Sequence, residues 1–191
     1  FLLFLAQTWL AGQGNIALHR RLGLAGAALT LAATLVFVPM AIGVWPRGIT
    51  RAIASGATVD LAALASPART AIALRDVLYF AAFPVLVACA VAYRKRPEAH
   101  KRLMLLATMS LLPAAVNRIF AWPIFDGFPA PIGNLLVMAL LVAAPAVHDR
   151  LIEGRVHPVS SRVAPVFYLW GVVCGLVVPP LVNAMGLVLL R

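Results

Sequence analysis

Residues 19–39 read HRRLGLAGAALTLAATLVFVP. A histidine and two arginines open the stretch, and from Leu22 to Pro39 no ionisable side chain follows. Spanning the hydrocarbon core takes about 20 predominantly apolar residues in a helix. Lipid offers no partner to a stray N–H or C=O, so a run rich in Leu and Ala without strand alternation reads as a helix. Composition extends this reading to the whole chain. Hydrophobic residues make up 63% of the 191 and charged residues 12%, with a mean hydropathy of +0.96. A water-soluble domain has roughly 45–50% apolar and about 25% charged residues, so polar surface is too scarce here to cover a soluble particle.

Working outward from 19–39, one partial and five full apolar runs emerge: about 1–11, 18–39, 74–93, 103–122, 132–147 and 164–190. The expected fold is all-α, one integral membrane domain over 1–191 built as a polytopic bundle of about six transmembrane helices. The opening FLLFLAQTWLAG has neither Met nor a basic n-region and reads as the lower half of a truncated helix, not a signal peptide. Ser66-Pro67 has the form of an N-cap followed by proline at the first helical position, which starts the third helix ahead of its apolar part. The connection 41–73 is expected on the outer side with a short Ala-rich interfacial helix, since a structureless loop of that length is unusual.

The formal net charge is +10. Its cations stand in short clusters between apolar runs, the pattern of topology signals and headgroup contact, which argues against a nucleic-acid partner. Under the six-helix reading, ten of the sixteen Lys and Arg fall on one side, at 20–21, 94–102 and 150–162; Arg47, Arg51, Arg69, Arg75, Arg118 and Arg191 fall on the other. The denser set predicts that the basic loops 94–102 and 149–162 are cytoplasmic and face anionic lipid headgroups.

Histidine recurs in one setting: HRRL at 19–22, HKRL at 100–103 and HDRL at 148–151. The first two open helices after a descending helix, which suggests a duplicated helical hairpin; the third closes a helix on the same face. His157 also lies there. Three readings stay open. Each histidine is an interfacial donor to a carbonyl or lipid phosphate; or His19, His100 and His148 converge on haem iron or another metal; or a histidine with Arg102 holds a quinone or an acidic lipid head. No histidine lies mid-helix.

Two charges interrupt the outer half. Arg118 lies about 26 Å beyond Lys101 at 1.5 Å per residue, and Asp76 opens the apolar part of the third helix, so an Asp76–Arg118 ion pair is expected. Pro84, Pro113, Pro145 and Pro179-Pro180 predict kinks, with a cavity among helices three, four and six. The narrow faces Gly23–Gly26 and Gly171–Gly175 predict close internal seams, and Cys89 and Cys174 read as small buried residues. The chain carries no phosphate-binding glycine loop, no Ser-His-Asp set and no His-Glu-x-x-His motif. These absences weigh against an enzyme without deciding the question.

The stretches LHRRLGLAGAAL, RDVLYF, RKRPEAHKRLMLLATMSLL and HDRLIEGRVHP resemble an uncharacterised family of small bacterial multi-pass membrane proteins. The step from His100 to Met104, followed by Arg118, resembles a second such family. More distantly, the hairpin is similar to cytochrome b-type and ferric-reductase-like membrane modules, whose mid-membrane histidine ligands this chain lacks. The resemblance implies a multi-pass protein of the bacterial inner membrane. The function expected is a non-catalytic bundle module or accessory subunit, in contact with lipids and other membrane subunits. The alternatives are a haem b- or quinone-binding electron-transfer protein and a small-molecule transporter.

Overall fold

The computed structural model describes residues 2–42, 67–120 and 122–189, and every regular element among them is helical. In chain order these are α1 (Leu2–Gly12), α2 (Ile16–Ile42), α3 (Pro67–Ala92), α4 (Pro97–Met109), α5 (Pro113–Ile119), a 3-10 turn (Pro123–Phe125), α6 (Ala130–Ile152), α7 (Ala164–Val172) and α8 (Val178–Leu189). α3 is described from Pro67; Ser66, its expected N-cap, lies outside the described residues. The centre of the expected interfacial helix, 43–66, lies outside the described residues.

Four stretches are long and apolar enough to cross a membrane: Ile16–Val38, Leu74–Ala92, Ala130–Ile152 and Val159–Met185. The other two expected spans are not continuous helices of that length. α1 has 11 residues. The run 103–122 is broken into α4 and α5, because Pro113 has no N–H to donate and its ring would collide with the carbonyl four residues earlier. The connecting turn closes locally: Leu112 donates its N–H to Met109 at 3.0 Å, and the Ser110 hydroxyl donates to the Ala107 carbonyl at 2.7 Å.

The core forms around α4. Ala99, Leu103, Leu106, Ala107 and Met109 pack with Leu86, Val87 and Ala90 of α3, Met138 and Val142 of α6, and Val159 and Ala164 at the start of the last span. α2 is the opposite case, with none of its described side chains buried. Large apolar residues such as Leu24, Leu29 and Leu35 lie open along it, the arrangement suited to a lipid solvent.

Prolines leave distinct marks. Pro84 and Pro145 sit inside α3 and α6. In the last span, π-helical turns at Val159–Val163 and Val173–Val177 each end two residues before a proline, Pro165 and Pro179. Widening the preceding turn makes room for the ring, so α7 and α8 continue as one rod. The glycine faces are internal seams. A Cβ on Gly175 would stand 2.9 Å from the Tyr79 hydroxyl oxygen, and one on Gly26 would stand 3.1 Å from Leu3. Between α3, α5, α6 and α7 a cavity of about 20 Å³, lined by Tyr79, Pro113, Asn134, Met138, Phe167 and Tyr168, matches the expected cavity and adds the fifth helix to its wall. Cys174 is fully buried, whereas Cys89 lies on an exposed face of α3, so the expectation of burial holds for one thiol only.

Candidate functional site

The densest polar cluster of the described residues lies at the end of the bundle where α4 begins and α6 ends. Arg102, in the second turn of α4, is 5% exposed. Its Nε donates to both Asp149 carboxylate oxygens at 3.1 and 3.2 Å, and its Nη2 donates to Asp149 and, at 2.8 Å, to Glu153. The remaining terminal nitrogen, Nη1, donates to the Glu98 carboxylate at 2.5 Å and the Glu98 carbonyl at 3.0 Å. Asp149, 1% exposed, accepts two further hydrogen bonds, from the Ser160 hydroxyl at 2.7 Å and the His157 backbone N–H at 3.1 Å. Lys101 pairs with Glu98 at 2.6 Å.

Helix geometry explains the convergence. Glu98 and Arg102 are four residues apart in α4, and Asp149 and Glu153 four apart at the end of α6, so each pair shares a helix face. Three of the chain's six carboxylates therefore meet one guanidinium. Its planar fork of five N–H donors serves several carboxylates at once and one of them through two donors, a geometry that a compact ammonium with three donors does not offer. Hydrogen bonds from Lys101 and then Arg102 hold the Glu98 carboxyl below the usual carboxylate range. The hydrogen bonds that Arg102 donates to Asp149 more than offset burial and hold the guanidinium charged. A buried charge is expensive alone and tolerable when fully paired; here donors and acceptors match, and the cluster ties α4, α6 and the start of the last span together.

This corrects the place given to Arg102. Its guanidinium is committed to three carboxylates and is not available to a quinone or an acidic headgroup. His148, 63% exposed at its side chain, lies with Nδ1 3.9 Å from Asp149 Oδ1. His148, Asp149 and Glu153 bring potential metal ligands within 4.8 Å of one another, but Arg102 already occupies both carboxylates and its charge would repel a cation.

The other two candidates come together. His19 and His100 have ring centroids 6.3 Å apart and planes at 84°. The Nδ1 of His19 lies 3.2 Å from the Gln7 carbonyl, and that of His100 lies 2.7 Å from the Ala90 carbonyl. Each histidine opens a helix and bonds back to the helix before it, so the α1–α2 and α3–α4 hairpins are pinned in the same way. Asn15 caps α2, accepting the Leu18 N–H at 3.2 Å, and Pro97 starts α4.

The expected Asp76–Arg118 pair is replaced by another. Asp76 pairs with its neighbour Arg75 at 2.8 Å. Arg118 is exposed in the last turn of α5, where a cation suits the helix dipole, and makes no ion pair among the described residues. Adjacent residues can pair by folding their side chains over one another, whereas the break before Pro113 re-aims the segment that carries Arg118.

Comparison with protein families, curated proteins and solved structures finds no match to this chain.

Proposed function

We propose that this chain is a non-catalytic, polytopic module of the bacterial inner membrane, an accessory subunit of a larger membrane assembly. Loops 94–102 and 149–162 lie in the cytoplasm against anionic headgroups. In this reading α1 is a partial span and α4 with α5 crosses as a broken helix, giving about six crossings.

One observation carries the reading. In the densest cluster of charged groups, the buried Arg102 and Asp149 are spent on each other and on Glu98, Glu153 and Ser160. Such a cluster fastens helices together. α2 supports the subunit role, because it packs on α1 and α3 and leaves its remaining faces to lipid or to a neighbouring chain.

The test is an absorption spectrum and a native gel of the protein extracted from membranes in mild detergent. The expected outcome is no Soret band and migration in a complex heavier than the chain with its detergent. A Soret band that shifts on reduction would replace this reading with the haem b electron-transfer alternative. Migration as a lone monomer would remove the subunit role.

A further inference from the structure

Imidazole rings meet the backbone of this bundle in two opposite ways. The Nδ1 atoms of His19 and His100 face carbonyl oxygens, which only accept, so each of these nitrogens carries a proton. Both contacts survive when the ring gains a second proton. His157 is the reverse case. The Val159 backbone N–H donates to its Nδ1 at 3.1 Å, so that nitrogen offers its lone pair and the ring proton sits on Nε2. An imidazolium carries a proton on both nitrogens and has no lone pair left to accept with. The bond that holds His157 therefore exists only while the ring is neutral.

The bond stands where the chain needs it. Val159 opens the last span with a π turn, and the first N–H groups of a helix have no carbonyl one turn back. Pro158, just before it, has no side-chain acceptor to offer. The imidazole two residues before Val159 takes the part that an Asn or Asp side chain plays in an Asx turn. Val159 and Ser160 are buried, so an N–H stranded there is poorly served by water. The backbone of His157 fastens the same place: its N–H donates to Asp149 Oδ2 at 3.1 Å, and its carbonyl accepts from the Ser161 N–H at 3.0 Å. The ring itself is half-buried and open to protons from solvent.

The surrounding charges do not hold an imidazolium in place. Of the elements packed on this turn, α6 brings His148, Asp149, Arg150 and Glu153, and α4 brings Glu98, Lys101 and Arg102. The segment itself adds Arg155 and Arg162, and α7 adds Tyr168, whose hydroxyl donates to the Leu135 carbonyl. The three carboxylates already meet Arg102, and the cations outnumber them. A charge on the ring would also face the positive end of the helix dipole.

We propose that His157 is a proton-operated latch on the last span. Neutral, it caps the Val159 N–H and holds the first turn beside Asp149; protonated, it releases that N–H and loosens the turn. His19 and His100 keep their anchors through the same change. The latch does not depend on the accessory-subunit reading, and a lone chain without a partner would leave it standing.

The experiment is nuclear magnetic resonance on the full chain in detergent micelles, isotopically labelled at the nitrogens of valine and histidine. Spectra are taken at about pH 8 and about pH 5, either side of the range in which an ordinary imidazole titrates. At the higher pH the His157 ring should report an unprotonated Nδ1, and the His19 and His100 rings a protonated one. As the pH falls, the Val159 amide resonance should move along the titration curve of the His157 ring. Its hydrogen-exchange protection, corrected for the intrinsic rate at each pH, should drop roughly two- to tenfold, the worth of one hydrogen bond. His157→Asn keeps an acceptor that does not titrate here, so Val159 should stay protected at both pH values. His157→Ala should leave it weakly protected at both, and His148→Gln should keep the wild-type response. The ring and amide titrations of the unsubstituted chain do not depend on any variant folding. A protonated Nδ1 on neutral His157, a Val159 amide that does not follow the ring, or a pH response that survives in His157→Asn would each overturn the proposal.

Discussion

Arg102 and Asp149 are nearly removed from solvent, and neither would be tolerated there alone. Removing one partner of a buried pair leaves an uncompensated charge and costs about 3–5 kcal/mol. Arg102→Gln and Asp149→Asn should each lower unfolding stability in detergent by amounts in that range. The double substitution should lose clearly less than the sum, because the second change removes a charge that the first has stranded. Arg102→Lys should recover little, since one ammonium cannot serve Asp149, Glu98 and Glu153 in the same plane. Asp76→Asn and Arg118→Gln should instead be additive in a double-mutant cycle, given that Asp76 pairs with Arg75; coupling above about 0.5 kcal/mol would restore the longer-range pair. The sequence already held part of this cluster. In HRRL and HKRL the residue after histidine is a cation, and in HDRL it is an acid; the Glu98–Arg102 spacing is that of a helical ion pair. What remained hidden is which helices meet. Spacing within a helix is local, but the approach of Asp149 to Arg102 depends on how α6 packs on α4, and no periodicity records that.

At the scale of elements, small residues and prolines decide how closely helices approach. The Tyr79 hydroxyl donates to the Gly171 carbonyl at 2.8 Å and so cannot swing aside for a methyl group on Gly175. Gly175→Ala should therefore destabilise by about 1–3 kcal/mol, the usual cost of overpacking. Gly23→Ala, whose nearest neighbour would be Gln7 Nε2 at 3.8 Å, should be neutral or slightly stabilising, because alanine is the better helix former. Thermal unfolding of both variants checks the contrast, and equal effects would mean that the Tyr79 contact does not control the seam. The glycine faces were legible as seams, and the membrane-length helices as helices, because both signals are dense and local. The break between α4 and α5 was not. An apolar run with one proline fits a kinked span and a broken one equally well, and the outcome turned on the turn Ser110–Leu112 closing its own hydrogen bonds. The two π turns ahead of Pro165 and Pro179 show the alternative, a proline accommodated by widening the turn before it.

For the whole molecule, orientation follows from which cations are free to meet headgroups. Arg102 is consumed by carboxylates inside the protein, and Lys101 pairs with Glu98 at the surface. Arg20, Arg21, Arg94, Lys95 and Arg96 are exposed and grouped at the turns of the two hairpins, where each adds about 1 kcal/mol of attraction to an anionic leaflet. On the other side, among the described residues, Arg75 is tied to Asp76 and Arg118 stands singly at the end of α5. The aromatic turn after α5, with Trp122 and Phe128 exposed and the Phe120 and Phe125 rings 5.0 Å apart, has the composition of a membrane–water interface. The basic turns should thus be cytoplasmic and the aromatic turn outside. In a Cys89→Ser background, Lys95→Cys should resist a membrane-impermeant maleimide in intact cells and react after lysis, whereas Ile124→Cys, at a position 82% exposed, should react in intact cells. Reversed labelling would invert the topology and move the His19–His100 ring pair to the opposite face. Labelling of both positions from outside would mean that the segment between them does not cross, leaving α4 and α5 as a helix pair that enters and returns on one side.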